Sequence, residues 1–133
     1  MKNRIIFSIL FLTVVSCLPK KNKDVEPDLA GTYQVSRISI GSTTVNYPDG
    51  NGTSANAVIT RPSDSQINVT VIETENGKTS TEPYGTFTIR KASGKEYDIL
   101  SSTNSVRIGS INGTDFTLDF TSSGKRYTLI ARK

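Results

Sequence analysis

Cys17 is the one thiol in this chain, and histidine is absent altogether. Without histidine, neither Ser-His-Asp nor Cys-His nucleophilic machinery can be assembled, and His-based metal sites are excluded. A lone Cys permits no internal disulfide and no thiolate-clustered zinc. The carboxylates from Asp49 onward are Asp49, Asp64, Glu73, Glu75, Glu82, Glu96, Asp98, Asp115 and Asp119, scattered with no pairing in sequence. Glycoside hydrolysis needs two carboxylates across a cleft, one with a raised pKa. Glu73 and Glu75 lie beside an Asn76-Gly77 turn, where solvent is expected. Asp49, Asn51 and Thr53 alternate oxygen-bearing side chains, but a calcium loop also needs a Glu at its twelfth position and flanking helices. A Gly/Asn turn is the expectation there. No phosphate loop or dinucleotide fingerprint occurs. From Gly31 onward, 11 Lys/Arg face 9 Asp/Glu with no basic stripe, so nucleic-acid binding has no electrostatic footprint. These residues point away from an enzyme and call for no cofactor or metal.

The context of Cys17 suggests a different use. Met1-Lys2-Asn3-Arg4 is positive, Ile5 to Val15 is apolar apart from Ser8 and Thr13, and Ser16-Cys17 follow. A positive start, a short apolar run and a small residue before a cut site read as a secretory signal. A run of eleven residues is too short for a spanning helix, which needs about 20. Val14-Val15-Ser16-Cys17 resembles the lipobox of bacterial lipoproteins. That resemblance implies cleavage after residue 16 and acylation of Cys17, with each buried methylene contributing about 0.8 kcal/mol to membrane attachment. Residues 18–30 read as a tether, with Lys20, Lys21 and Lys23 balanced by Asp24, Glu26 and Asp28 and with Pro19 and Pro27 opposing helix. No Asp follows Cys17, so the enterobacterial inner-membrane retention signal is missing. The expected address is the bacterial cell envelope, on the outer membrane.

Residues 31–133 must supply the fold. They hold 16 Thr, 10 Ile and 6 Val, against seven Leu, Ala and Met together. Stiff β-branched side chains suit a pleated surface and lose freedom in a helix. Phe116, Leu118 and Phe120 alternate with Thr117, Asp119 and Thr121; Ile67, Val69 and Val71 alternate with Asn68 and Thr70. Such alternation marks antiparallel strands with one face on a core. Asn76-Gly77, Ser93-Gly94, Asn112-Gly113 and Ser123-Gly124 fall between the runs and supply tight turns. Strands are predicted near 32–40, 43–47, 56–60, 66–73, 79–90, 95–100, 105–111, 114–121 and 126–132. Pro83 and Gly85 should bend or bulge the fifth. Residues 48–55 should be a mobile loop at one end. A meander of eight or nine strands avoids unpaired edges by pairing its last strand with its first. The expected fold is therefore all-β, an antiparallel up-and-down meander closed into a small barrel.

Leu29-Ala30-Gly31-Thr32-Tyr33, the Gly-turned hairpins and the closing Tyr127-Thr128-Leu129-Ile130-Ala131-Arg132-Lys133 resemble the lipocalin-like barrels of the calycin group. In that family a Gly-x-Trp opens the first strand and a late basic residue packs across the Trp. By resemblance, Tyr33 stands for the aromatic and Arg132 for the cation. Tyr replaces Trp here, and the family's Thr-Asp-Tyr loop motif is missing. The resemblance implies a small apolar ligand inside the barrel, held by Tyr33, Phe87, Tyr97, Phe116, Leu118, Phe120 and Tyr127. Ser122-Ser123-Gly124-Lys125-Arg126-Tyr127 also resembles the Ser-Gly-x-x-Tyr loop of lipoproteins that inhibit C-type lysozyme. Those inhibitors carry a disulfide and a Trp that this chain lacks. That alternative makes Ser123, Gly124, Lys125 and Arg126 a partner-binding turn. A third possibility is a filled structural barrel with no ligand. A monomer held on the membrane through acylated Cys17 is expected in each case.

Overall fold

The computed structural model describes residues 25–133; the leader, Cys17 and the tether through Asp24 lie outside the described residues. Nine antiparallel strands follow in chain order: β1 (Gly31–Ile40), β2 (Thr43–Asn46), β3 (Ser54–Ser63), β4 (Gln66–Glu75), β5 (Lys78–Lys91), β6 (Tyr97–Leu100), β7 (Arg107–Ile111), β8 (Asp115–Ser122) and β9 (Lys125–Arg132). No helix occurs among the described residues. The last strand pairs with the first, from Gln34↔Arg132 to Ile40↔Tyr127, and closes eight strands into a barrel.

The turns follow from local chemistry. Glu75↔Lys78 and Ser122↔Lys125 flank two-residue connections. Asn76-Gly77 (φ 49° and 74°) and Ser123-Gly124 (φ 50° and 74°) carry positive φ at both central positions. Turns of that kind match the right-handed twist of the flanking strands. The expected irregularity in β5 is a bulge at Tyr84: Val69 faces Gly85 while Thr70 faces Pro83.

The ninth strand departs from a simple meander. β2 pairs only with the upper half of β1, Arg37 to Ile40, while Gly31 to Gln34 pair directly with β3. Thr43-Thr44-Val45-Asn46 has no apolar alternation and all four residues are exposed. With no core face, β2 hangs on the wall as a flap.

The inward residues fill the barrel. Tyr33, Val35, Ala57, Ile67, Ile99 and Phe116 are completely buried, and the Tyr33 and Phe116 rings lie 6.0 Å apart. An eight-strand barrel is just wide enough for its own side chains to occupy the interior. One end is also sealed. Leu29 is fully buried beneath β1, and its carbonyl accepts the Tyr33 hydroxyl at 2.9 Å. Lys133 Nζ donates to the Ala30 and Asp28 carbonyls at 2.7 and 3.0 Å and stands 5.3 Å from the Tyr33 ring centroid. Gly31 is favoured here by its φ of 130°, a conformation that other residues rarely adopt, and the flexible end of Lys133 lies over its open face. The cation over Tyr33 is thus Lys133 and not Arg132, correcting the sequence expectation. Ala131 points inward, so Arg132 points outward, where it meets Asp115 at 3.4 Å. Farther around the same end, Arg61 bridges Glu26 at 3.2 Å and lies over the Tyr97 ring, whose hydroxyl donates to the same carboxylate.

Candidate functional site

The opposite end is open because its strands differ in length. β6 and β7 have four and five residues, whereas β5 has 14 and β8 has eight. Toward this mouth, the last β5–β6 pair is Thr88↔Leu100 and the last β7–β8 pair is Gly109↔Leu118. Beyond those levels β5 and β8 run on with only the Arg107–Ile108 end of β7, paired to Leu100, between them. The sequence explains the interruption. Ser101-Ser102-Thr103-Asn104-Ser105 contains no apolar residue, so there is nothing to alternate toward the core. It folds instead into a loop, in which Ser101 N–H donates to the Val106 carbonyl at 2.8 Å and Val106 N–H to Asn104 Oδ1 at 3.2 Å.

That window is a cleft of about 570 Å³. One wall is Tyr84, Thr86 and Phe87 of β5; the other is Asp119, Phe120, Thr121 and Ser122 of β8; the floor is residues 101–104 with Val106, Arg107 and Ile108. Phe87, Ile108 and Phe120 pack onto the buried core, so the apolar part of the lining continues into the barrel filling. The Ser and Thr hydroxyls give the rim a polar edge. A second hollow of about 170 Å³ adjoins it, lined by Ile40, Glu82, Pro83, Tyr84, Phe120 and Tyr127. Tyr84 and Phe120 belong to both spaces. The Phe120 and Tyr127 rings are stacked, with centroids 5.2 Å apart and planes within 9°.

Two phenols at the mouth are shifted by burial and by nearby carboxylates. The Tyr47 hydroxyl donates to Glu73 Oε1, and burial, then this carboxylate, push it well above the ordinary phenol range. The Tyr84 hydroxyl is also raised, first by burial and then by Glu82 and Glu73. Glu73 is therefore half-buried at the mouth rather than standing in water beside its turn. Asp49 Oδ1 accepts from Thr53 N–H at 2.8 Å and Asn51 N–H at 2.9 Å, and these bonds hold its carboxyl below the usual range. This arrangement ties the loop to itself, as its Gly/Asn turn character suggests, and the loop ends at Thr53, earlier than expected, because Ser54 and Ala55 already pair with Thr74 and Glu73 in β3.

The residues expected to hold a ligand divide into two groups. Tyr33, Phe116 and Leu118 are at most 1% exposed and fill the interior. Tyr97 is buried at the sealed end. Phe87 and Phe120 line the mouth cleft, and Tyr127 lines the adjoining hollow. Sequence reading did not find Tyr47, Tyr84, Ile108 or the 101–104 floor. The available signal was the unalternating Ser/Thr run, which shortens β6 and β7. In the alternative turn, Ser123, Gly124 and Lys125 are exposed. Arg126 grips Asp119 through Nε–Oδ1 at 2.8 Å and a second contact at 2.5 Å, and this holds the Asp119 carboxyl below its ordinary value.

No protein-family model, curated protein or solved structure matches the chain.

Proposed function

We propose that this chain is a lipid-anchored protein of the bacterial cell envelope, monomeric and without enzymatic activity. In this reading its lipocalin-like barrel binds a small, largely apolar ligand at the open mouth. The observation that carries the reading is the contrast between the two barrel ends. The interior is occupied by its own side chains and the tether-side end is sealed by Leu29 and Lys133, so bound molecules must use the mouth. There Phe87, Ile108 and Phe120 line the cleft among a larger share of hydroxyl-bearing and charged side chains, and small-molecule sites likewise set polar groups around apolar surface. The described chain enters at the sealed end, which supports a mouth directed away from a membrane anchor at Cys17. A partner-binding role for Lys125 and Arg126 has less support, because Asp119 already occupies the Arg126 guanidinium.

Native mass spectrometry of the protein purified from its own membrane tests both halves. The expected wild-type spectrum shows a chain starting at an acylated Cys17 and a further non-covalent small-molecule adduct. Cys17→Ser should yield an uncut, unacylated precursor. An unmodified wild-type N-terminus defeats the lipoprotein assignment; an acylated chain that never carries an adduct argues for a purely structural barrel.

A further inference from the structure

Among the described residues the mouth carboxylates differ in pairing: Asp119 is held by Arg126, whereas Glu73 and Glu82, like Asp28, Asp49 and Glu75, form no ion pair. Glu26, Glu96, Asp98, Asp115 and Asp119 each lie within 3.4 Å of an arginine. Lys78 stands opposite Glu75 and Lys125 opposite Ser122, at the two hairpin tips. Glu82 instead lines the hollow of about 170 Å³ beside the rings of Tyr84, Phe120 and Tyr127. Glu73 approaches the same cluster from β4, through its bond with Tyr47 and its influence on Tyr84. Phe120 and Tyr127 cover one face of each other by stacking, and the hollow groups their remaining surface with Tyr84 and the Glu82 carboxylate. The ring faces are negative and favour a weakly hydrated cation, while the carboxylates add an attraction that salt weakens.

We infer that the hollow walled by Glu82, Tyr84, Phe120 and Tyr127 is a binding site for the ammonium group of a small organic cation. Its size suits an alkylated ammonium head rather than a whole amphiphile. The shared wall of Tyr84 and Phe120 lets the remainder of such a ligand run into the larger cleft. This inference rests on the mouth being the binding end, and it adds a charged head to the ligand class.

The test is a calorimetric and NMR titration of the folded barrel with choline, with the uncharged carbon isostere of choline (dimethylbutanol), and with a short-chain phosphatidylcholine below its micelle concentration. Choline should bind at least about tenfold more tightly than the isostere, and amides around residues 82–84 and 127 should shift. Glu82→Gln, an exposed and isosteric change, should weaken choline about three- to tenfold and flatten its salt dependence. Tighter binding of the short-chain lipid than of choline would assign the source to a lipid headgroup. Equal or tighter binding of choline would assign it to a free ammonium compound. An isostere that binds as well as choline overturns the ammonium site but leaves an apolar mouth site standing. Binding of choline unchanged by Glu82→Gln, or no binding of choline at all, also overturns it.

Discussion

Lys133 and Arg132 are neighbouring cations with opposite surroundings, and their contrast reports on how the barrel is sealed. Lys133 crosses the barrel end to two carbonyls and the Tyr33 ring; Arg132 reaches only the exposed Asp115. Lys133→Ala should cost about 1 kcal/mol of unfolding free energy in urea. Arg132→Ala should stay within about 0.5 kcal/mol. The reverse order would place the wrong cation over Tyr33. Tyr33 itself adds a pH dependence. Burial, with Asp28 nearby, pushes its hydroxyl from 10.0 to about 12. Below pH 10 the folded and unfolded chains both keep this proton. Above it the unfolded chain releases the proton first, so stability falls as pH rises toward 12. The loss is roughly 2–3 kcal/mol from this residue. Subtracting the profile of Tyr33→Phe, measured by urea unfolding at each pH, isolates it. A wild-type and variant pair with parallel slopes between pH 10 and 12 would show that Tyr33 titrates normally.

Strands were the most legible elements, because alternation is repeated along each one and Gly turns mark their limits. Phe116, Leu118 and Leu129 are buried as their spacing implies, and Tyr84 bulges where Pro83 and Gly85 suggested. What alternation cannot show is where along a wall a partner stops. β2 has a strand-like composition of Thr and Val, yet whether it joins the barrel depends on β3 taking the lower half of β1's edge. The mouth was equally hidden, since its walls come from β5 and β8, distant in sequence, and its gap from an early end to β6 and β7. Likewise the choice between Arg132 and Lys133 depends on how the chain turns past the final strand, which periodicity does not encode. The β7–β8 pairing that sets the lower limit of the gap can be tested directly. At Gly109 a Cβ would lie 2.1 Å from the Thr117 carbonyl oxygen, a backbone atom that cannot step aside. Gly109→Ala should cost about 1–3 kcal/mol and remove amide-exchange protection at residues 109–111 and 116–118. Gly124→Ala meets no atoms but sits at φ 74°, and should cost about 1 kcal/mol. A Gly109→Ala protein with intact protection would refute this pairing.

At the scale of the whole molecule, the fold separates stability from exposure. The core and seal occupy the interior and the end at Leu29 and Lys133, while Tyr84, Phe87, Phe120 and Tyr127 gather at the far mouth. Tyr84, Phe87 and Phe120 are partly buried there and rest against the core, so the site is backed by rigid packing while remaining open to solvent. With no Trp or His in the sequence, the mouth presents Tyr and Phe rings, hydroxyls and the carboxylates of Glu82 and Asp119. The central claim is that the mouth, and no other part of the barrel, receives a ligand. Its most direct test is a titration of isotope-labelled protein, residues 25–133, with octanol, followed amide by amide by NMR. Saturable shifts confined to residues 84–87, 101–108 and 119–122, with Tyr33 and Phe116 unmoved, are the predicted result. Shifts centred on the sealed end around residues 26–31 and Lys133, or no saturable shift anywhere, would contradict it.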